Sequence, residues 1–581
     1  MLKVKNAHIV VAPAALGDRD SSQLWAAKEL RYYLDRMTGA SLPIVAEGAA
    51  GAIFVGDAAG LDVSGLGDDG FVIVSSGDAV RLAGGARGVL YAAYELLGRL
   101  GVRFFTPTCE LVPTAPDAVI PDMSLRSTPA FEYRYHNYAD VVQNPRFAAK
   151  LRFNGVKGQP ARLGGSMTYA LFVHTFEKLI PTAEFRDSHP EYFALVDGER
   201  VTTGGGRTQL CLTNPEVVKL LTERTREYLR AHPGHRLMSL SQNDWYGNCQ
   251  CENCRKVDAE EGSPSGTLLR AVNAVAAALE PEFPDVIFDT LAYVYSRPAP
   301  RLTRNRHNVC VRLCSIECCF CHPFDACDDA KRAVARPDGS KSSFFADLCD
   351  WGKICDRMYV WDYTTCFAHY PTPHPNWRVL QRNAQLMAAN NVKGVFEQAC
   401  GASRGGVDFT ELRAYLISKL LWNPNCDLDT HRHEFMEHYY GKAAPALDEY
   451  LDLVCETAAK HDHVGFNDQP EHRFLEEDML AKSAALFDRA EQAVAADPLR
   501  WQRVRKARLS IRWVALKRKA MLRGELDPAE VNAFFDVWKS FGLSRIDEWC
   551  NLETTHRALL EGKWRGIEYF EHWTGEEPEL L

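Results

Sequence analysis

The chain of 581 residues is 46% apolar and 25% charged, the balance of a folded globular protein, which excludes disorder, collagen and coiled coil. Its formal charge of −9 comes without any basic stripe that would neutralise phosphates, so nucleic acid is excluded as an expected partner. The length predicts three or four domains at about 150 residues each, and one of them can be a barrel of about 250 residues.

The chain begins MLKVKNAHIVVAP, a short run that alternates like a strand and lacks the long apolar stretch and small-residue cleavage site of a signal peptide. No run approaches the ~20 apolar residues that span a bilayer. The expectation is a cytoplasmic protein with no membrane partner. Residues 1–122 read as an accessory α/β unit. AHIVVAP is a strand, and SSQLWAAKELRYYLDRMTG is a helix with a Ser cap and Gly39 behind a basic last turn. FVIVSSGDAVRLAG is a hairpin.

From about Phe131 short apolar strands alternate with helical stretches. Eight strands are predicted: FEYRYHNY, LRFNGVK, QLCLTN with the preceding ALFVHTF, HRLMSLSQND, VIFDTLAYVYS, NVCVRLCSIE, MYVWDYTT and VKGVFEQA. Helices such as SGTLLRAVNAVAAALEP and NWRVLQRNAQLMAANN lie between them. Strands alternating with helices predict an α/β fold, a (β/α)8 TIM barrel over 123–430, with chemistry at the carboxyl ends of its strands. Residues 431–581 are predicted to form a helical domain that buttresses the barrel. Its long basic stretch, LRWQRVRKARLSIRWVALKRKAML, has apolar residues at helical spacing and reads as a solvated face.

Strand ends supply carboxylates: Asp244 in SLSQND, Glu317 in LCSIECC, Asp362 in YVWDYTT and Glu397 in GVFEQA. Glycoside hydrolysis needs two, one protonated to donate to the leaving oxygen and one ionised to activate water or attack the sugar. Asp244 and Glu397 fall on predicted strands four and eight, across the barrel mouth. Trp245 and Tyr246 follow Asp244, Trp361 and Tyr363 flank Asp362, and Trp377 follows with His369 and His374. Aromatic faces pack on sugar rings while carboxylate, Asn and His edges bond hydroxyls. His136 in RYHNY and His174 in FVHTF are further strand-end polar residues.

Three parts in this order, α/β unit, barrel and helical tail, resemble the architecture of alpha-glucuronidases, beta-hexosaminidases and O-GlcNAcases. SHPEYFALVDGER, QLCLTNPEV, SQNDWYGNCQCENC, VWDYTT, GVFEQ and YLISKLLWNP are similar to a bacterial family of alpha-glucuronidase-like glycoside hydrolases. The resemblance covers most of the chain. It implies an acid at the end of strand four, at Asn243-Asp244. Relatives that use a substrate acetamido group carry two adjacent acids there, so Asn243 weakens a hexosaminidase reading and leaves Asp244 as the acid. A base would come from a later strand, where Glu397 and Asp362 compete. A uronic acid would also need a cation, with Arg207, Arg312 and Arg404 as the clamps to test.

Twelve of the eighteen cysteines fall between Cys249 and Cys366. Cys249, Cys251 and Cys254 follow the Asp244 turn, and Cys314, Cys318, Cys319 and Cys321 lie after predicted strand six. Three thiols within six residues fit a structural zinc completed by a ligand from another loop; a local disulfide and free thiols are the alternatives. No other cofactor is required.

The sequence therefore predicts a glycoside hydrolase removing a terminal sugar from an oligosaccharide or glycoside, with a uronic acid or a hexosaminide as the sugars the resemblance brings in. Asp244 is the expected acid and Glu397 the base or nucleophile. His136, His174, Asn243, Trp245, Arg312, Glu317, Trp361, Asp362, Tyr363 and Arg404 are the expected substrate contacts. The partner is a small carbohydrate, and an oligomer is compatible with the sequence. Two rival classes are a non-catalytic carbohydrate-binding protein on a glycosidase scaffold and a metal-dependent sugar lyase or isomerase.

Overall fold

The computed structural model describes residues 1–562 except 49, 402, 524 and 525. The end of the expected helical region, 563–581, lies outside the described residues. Strands β1 (His8–Val11), β2 (Ile44–Val45), β3 (Ala52–Val55), β4 (Phe71–Ser76), β5 (Ala79–Gly84) and β6 (Met123–Ser127) make one mixed sheet in the order β6-β4-β5-β3-β1-β2. The predicted hairpin is β4–β5, paired antiparallel from Phe71–Gly84 to Ser76–Ala79, with Gly77 supplying the positive φ of 63° that its two-residue turn requires. Helices α1 (Ser22–Thr38) and α2 (Gly88–Arg99) pack on each other. The predicted caps of α1 are present: Ser21 Oγ accepts from Leu24 N, and Gly39 ends the helix at φ 72°.

A second sheet follows. Strands β7 (Tyr133–His136), β8 (Leu237–Ser239), β9 (Ile287–Ala292), β10 (Val309–Cys314), β11 (Met358–Tyr363) and β12 (Val392–Gln398) run parallel in the order β7-β12-β11-β10-β9-β8. Helices α3 (Pro215–Ala231), α4 (Glu252–Glu261), α5 (Ser265–Leu279), α6 (Phe344–Ile354), α7 (Leu380–Ala389) and α8 (Thr410–Trp422) lie between and after them. The sheet is a curled, TIM-barrel-like one with six strands rather than the eight predicted. LRFNGVK and ALFVHTF fall between the edge strands β7 and β8, and neither forms a ladder. Asn154 N donates to Arg134 O at 3.2 Å while its side chain accepts from Arg134 N at 2.9 Å. Met167 N reaches Asn154 O at 2.7 Å, and Tyr169 pairs Leu237 as a single parallel bridge. The Asn154 side chain takes a bond that a strand would make with its backbone. At Gly155 a Cβ would stand 2.6 Å from Tyr135 Cβ, so this close approach excludes the β-branched residues of a regular strand. QLCLTN leaves the sheet altogether and makes one antiparallel bridge, Phe193 to Leu210.

Residues two apart on a strand share a face. Tyr133 stacks on Tyr359, Tyr135 on Phe396, and Trp361 packs on Phe396 with centroids 5.0 Å apart, so these aromatic positions define the inner face. Asp289 and Arg312 point the same way and meet there, with no exposure at either side chain and Arg312 Nε donating to Asp289 Oδ2 at 3.0 Å. Ser239 donates to the other Asp289 oxygen at 2.9 Å, and Tyr169 bonds both members of the pair. The rings of Tyr133, Tyr169, Phe172, Tyr359 and Trp361 surround the guanidinium, each centroid within 6.0 Å.

The chain ends in helices α9 (Leu428–Tyr440), α10 (Ala444–His461), α11 (Glu477–Ala493), α12 (Pro498–Arg523), α13 (Pro528–Ser540) and α14 (Leu552–Leu560). The basic stretch is α12, and its charges meet local partners: Arg500 pairs Asp497, Lys506 pairs Glu411 and Arg508 pairs Glu491. No described helix is long and apolar enough to cross a membrane.

The first sheet is tied to the second by Asp69. Burial alone would raise its pKa, but Arg134 of β7, at 2.9 Å, and Arg87, at 2.8 Å, outweigh it and hold the carboxyl at about 2. A carboxyl depressed from 3.8 gives its full stabilisation above pH 4 and loses it as pH falls from about 4 to 2. Asp69→Asn is therefore expected to destabilise the protein at neutral pH by about 2 kcal/mol and to flatten its acid unfolding between about pH 4 and 2, read by urea midpoints across pH. Removing one partner of the lumen pair strands a buried charge, so Asp289→Ala is expected to cost about 3–5 kcal/mol. Asp289→Leu with Arg312→Met should recover most of that loss; a single-variant loss under about 1 kcal/mol would contradict the burial described.

Candidate active site

The carboxyl ends of the parallel strands open on a cavity of about 240 Å³. Continuing the inner-face alternation brings Tyr293 beyond β9, Cys314 on β10, Trp361 and Tyr363 on β11 and Gln398 on β12 into its wall. His174 and Asp244 enter from the loops beside β8. The opposite wall comes from the helical region: Phe466 follows α10, and Glu548 and Trp549 precede α14.

Asp244, Tyr293, His174, Gln398 and Glu548 are each held by a hydrogen bond. Tyr293 Oη donates to Asp244 Oδ1 at 2.9 Å. Burial, then the Asp244 charge, pushes the Tyr293 phenol well above its usual value, so it remains a donor. His174 Nδ1 lies 2.9 Å from Gln242 O and donates to it, which leaves Nε2 as an acceptor. Its backbone stands at φ 52°, a strained position for a side-chain-bearing residue. Gln398 Oε1 accepts from Trp361 Nε1 at 2.9 Å, leaving the amide NH2 for a ligand. Glu548 accepts from the Tyr370 hydroxyl. Burial pushes its pKa up to about 7. Backbone bonds from Tyr370 N to Ile546 O at 2.7 Å and from Glu548 N to Phe367 O at 3.1 Å fix this turn against the loop after β11.

The cavity thus gathers four of the predicted residues, His174, Asp244, Trp361 and Tyr363, and not the others. Glu397 is the principal correction. It lies between Phe396 and Gln398, both on the inner face, so its own side chain points outward and is sealed at 6% exposure. Asp362 stands opposite it in the β11–β12 register and His136 opposite it in the β7–β12 register, making a buried row on the outer face. Burial drives the Glu397 pKa well above its usual value, with the Asp362 charge adding to it; burial raises Asp362 to about 6 and lowers His136 to about 3. Ser315 Oγ binds Asp362 at 2.5 Å.

Of the remaining expected contacts, Asn243, Arg312 and Glu317 are bonded within the protein. Asn243 is spent on the backbone of Glu177 and Thr208, bracing the turn before Asp244. Arg312 is buried on the inner face against Asp289 and does not line the cavity. Glu317 pairs with Arg297 at 3.0 Å. Trp245 is 37% exposed beside Asp244 but does not line the cavity, and Arg404, also exposed, lies outside it too. Tyr293, Gln398, Phe466, Glu548 and Trp549 are additions. Tyr293 and Gln398 were within reach of strand alternation, whereas Glu548 and Trp549 had no sequence signal. A larger cleft, about 1020 Å³, lies around Arg103, Arg152 and Lys419 where the parallel strands begin, and two of those cations are already paired, Arg103 with Glu434 and Arg152 with Glu95.

Beside the Asp244 turn, Cys249, Cys251 and Cys254 are joined by Cys211 from QLCLTN, with all four sulfurs within 4.8 Å of one another. Cys211 Sγ stands 3.7 Å from Cys251 Sγ and 4.0 Å from Cys254 Sγ. Bonds of about 2.3 Å in a tetrahedron put sulfurs about 3.8 Å apart, so these donors fit a zinc ion. Leu195 N donates to Cys249 Sγ at 3.3 Å, an outer contact of the kind that orients thiolate ligands.

Residues 104–452 match the family described as Domain of unknown function (DUF4838), and the chain belongs to that family. No curated protein matches it. Among solved structures it is similar to a GH138 enzyme targeting pectin rhamnogalacturonan II, at 10% identity and a TM-score of 0.46, covering 92% of this chain and 90% of that one. It is also similar to a family 89 glycoside hydrolase from Clostridium perfringens, at 10% identity and a TM-score of 0.47, covering 90% of this chain and 66% of that one. A glycoside hydrolase family 20 beta-N-acetylglucosaminidase is 13% identical, with a TM-score of 0.37 and coverage of 69% and 88%.

Proposed function

We propose that the protein is a glycoside hydrolase that removes a terminal sugar from an oligosaccharide or glycoside, using Asp244 and Glu548. The observation that carries this reading is a cavity walled by Trp361, Tyr363, Tyr293 and Trp549 into which two carboxylates from different parts of the chain converge, each with its own hydroxyl donor. Its volume, about 240 Å³, suits one small ring and falls below the roughly 300–1,000 Å³ of drug-sized sites.

Glu548, with its pKa at about 7, holds a proton near neutrality and gives it to the glycosidic oxygen as the bond to the anomeric carbon breaks. Asp244, fixed by Tyr293, is the base for the attacking water or the nucleophile itself. Gln398 and His174 bond hydroxyls. No Lys or Arg lines the cavity among the described residues, which favours a neutral sugar over a uronic acid. We also propose that Cys211, Cys249, Cys251 and Cys254 hold a structural zinc that braces the loop carrying Asp244, and that the reaction does not use it.

Against a panel of aryl glycosides and oligosaccharides, Asp244→Asn and Glu548→Gln are each expected to lower kcat by about 10²–10⁴ with sugar binding retained. Activity should fall as pH rises through about 7, because the acid must be protonated, and Glu548→Gln should abolish that limb. A protein that binds sugars and cleaves none, with both variants binding equally well, is the carbohydrate-binding rival. For the thiol cluster, Cys211→Ser with Cys254→Ser is expected to remove about one zinc equivalent per chain by elemental analysis and to lower the Tm.

A further inference from the structure

The loop after β10 carries a second set of metal donors, on a spacing unlike that of the first. Cys319, His322 and Cys327 lie within this loop, and His463 stands just beyond α10. Their four donor atoms lie within 4.8 Å of one another, with Cys319 Sγ 3.2 Å from His322 Nδ1 and Cys327 Sγ 3.7 Å from His463 Nδ1. Zinc bonds of about 2.3 Å to sulfur and about 2.0–2.1 Å to nitrogen give tetrahedral edges of about 3.3–3.8 Å, the same range.

Both imidazoles are also turned for ligation. His322 Nε2 donates to Ala459 O at 2.7 Å, which puts the ring proton on that nitrogen and leaves the Nδ1 lone pair facing the thiols. His463 turns Nδ1 to Cys327, and its Nε2 faces away from the thiols, 3.6 Å from the exposed carboxylate of Asp328. Cys321 Sγ lies 3.4 Å from Cys319 Sγ, 3.5 Å from His322 Nδ1 and 3.4 Å from Asp462 O, but it falls outside the group of four mutually adjacent donors. Cys319 is buried, and the other three donors are half-buried, so a metal held here is reachable from solvent only in part.

The geometry points to a second structural zinc site, formed by Cys319, His322, Cys327 and His463. It is closed by four protein ligands, and it joins the loop after β10 to the chain leaving α10. Phe320 N bonds Val464 O at 2.8 Å and Arg332 bonds His463 O at 2.9 Å along the same seam. Ile316, upstream of these ligands, and Phe466, downstream of His463, both line the cavity. The ion therefore pins two walls of that cavity to each other, whatever substrate it takes.

The test uses the full chain, purified without chelators or a metal-affinity tag. Elemental analysis is expected to give about two zinc equivalents per chain, and zinc K-edge absorption an average of about three sulfurs and one nitrogen per zinc. Cys251→Ser with Cys254→Ser should keep about one equivalent, with two sulfurs and two nitrogens; Cys327→Ser with His463→Ala should keep about one with four sulfurs. Should a variant fail to fold, the wild-type spectrum decides alone. A wild-type protein without zinc, or one whose zinc sees sulfur only, would overturn the proposal.

Discussion

A guanidinium taken out of water needs a partner that carries the opposite charge or accepts its hydrogen bonds. Arg312 and Asp289 meet this requirement at the centre of the parallel sheet, on adjacent strands and without exposure. The pair accounts for the arrangement around it. Tyr169 is drawn from an irregular segment to bond both charges, which seats that segment against β8 where no strand forms. Five rings close over the guanidinium, and one of them, Trp361, is also the floor of the cavity above. The cavity thus shares a wall residue with the buried ion pair.

The cavity is completed from outside the sheet. The strands and the loops that follow them supply Asp244, Tyr293, Trp361 and Gln398, whereas Glu548, Trp549 and Phe466 arrive with the helical region. A carboxyl brought in on a packed turn loses its water, which is why Glu548 lies at about 7, while Asp244, at the exposed end of its loop, keeps its contact with solvent. Two acids in unlike surroundings are what acid and base roles require. The proposed zinc at Cys319, His322, Cys327 and His463 fits the same plan, since a site assembled from two regions needs something to hold their walls in register.

Much of this was legible in the sequence. The hairpin, the capped helix α1 and the parallel strands from β8 to β12 follow from periodicity and turn chemistry, and of the residues named from the sequence Asp244, His174, Trp361 and Tyr363 line the cavity. Glu397 shares the strand-end position of a site residue, and only its parity in the strand turns it away from the cavity. In MYVWDYTT the aromatic residues alternate, so Asp362 falls on the other face, and in GVFEQ the inward Phe396 makes Gln398 the site residue and turns Glu397 away. The two missing strands had no such cue, because Asn154 side-chain bonding and the Gly155 contact are tertiary facts. Glu548 lay in a turn between helices with nothing in its neighbourhood to mark it. The thiol spacing from Cys249 to Cys254 was readable, but Cys211 and His463 are brought to their clusters only by folding.

The proposed reaction requires a sugar bound between Asp244 and Glu548, against Trp361. A crystal structure of the Asp244→Asn variant soaked with a cleavable glycoside tests it most directly. The expected result is one ring stacked on Trp361, its glycosidic oxygen within hydrogen-bond reach of Glu548 and its anomeric carbon facing residue 244. A sugar ordered elsewhere on the protein, with this cavity holding only water, would contradict it.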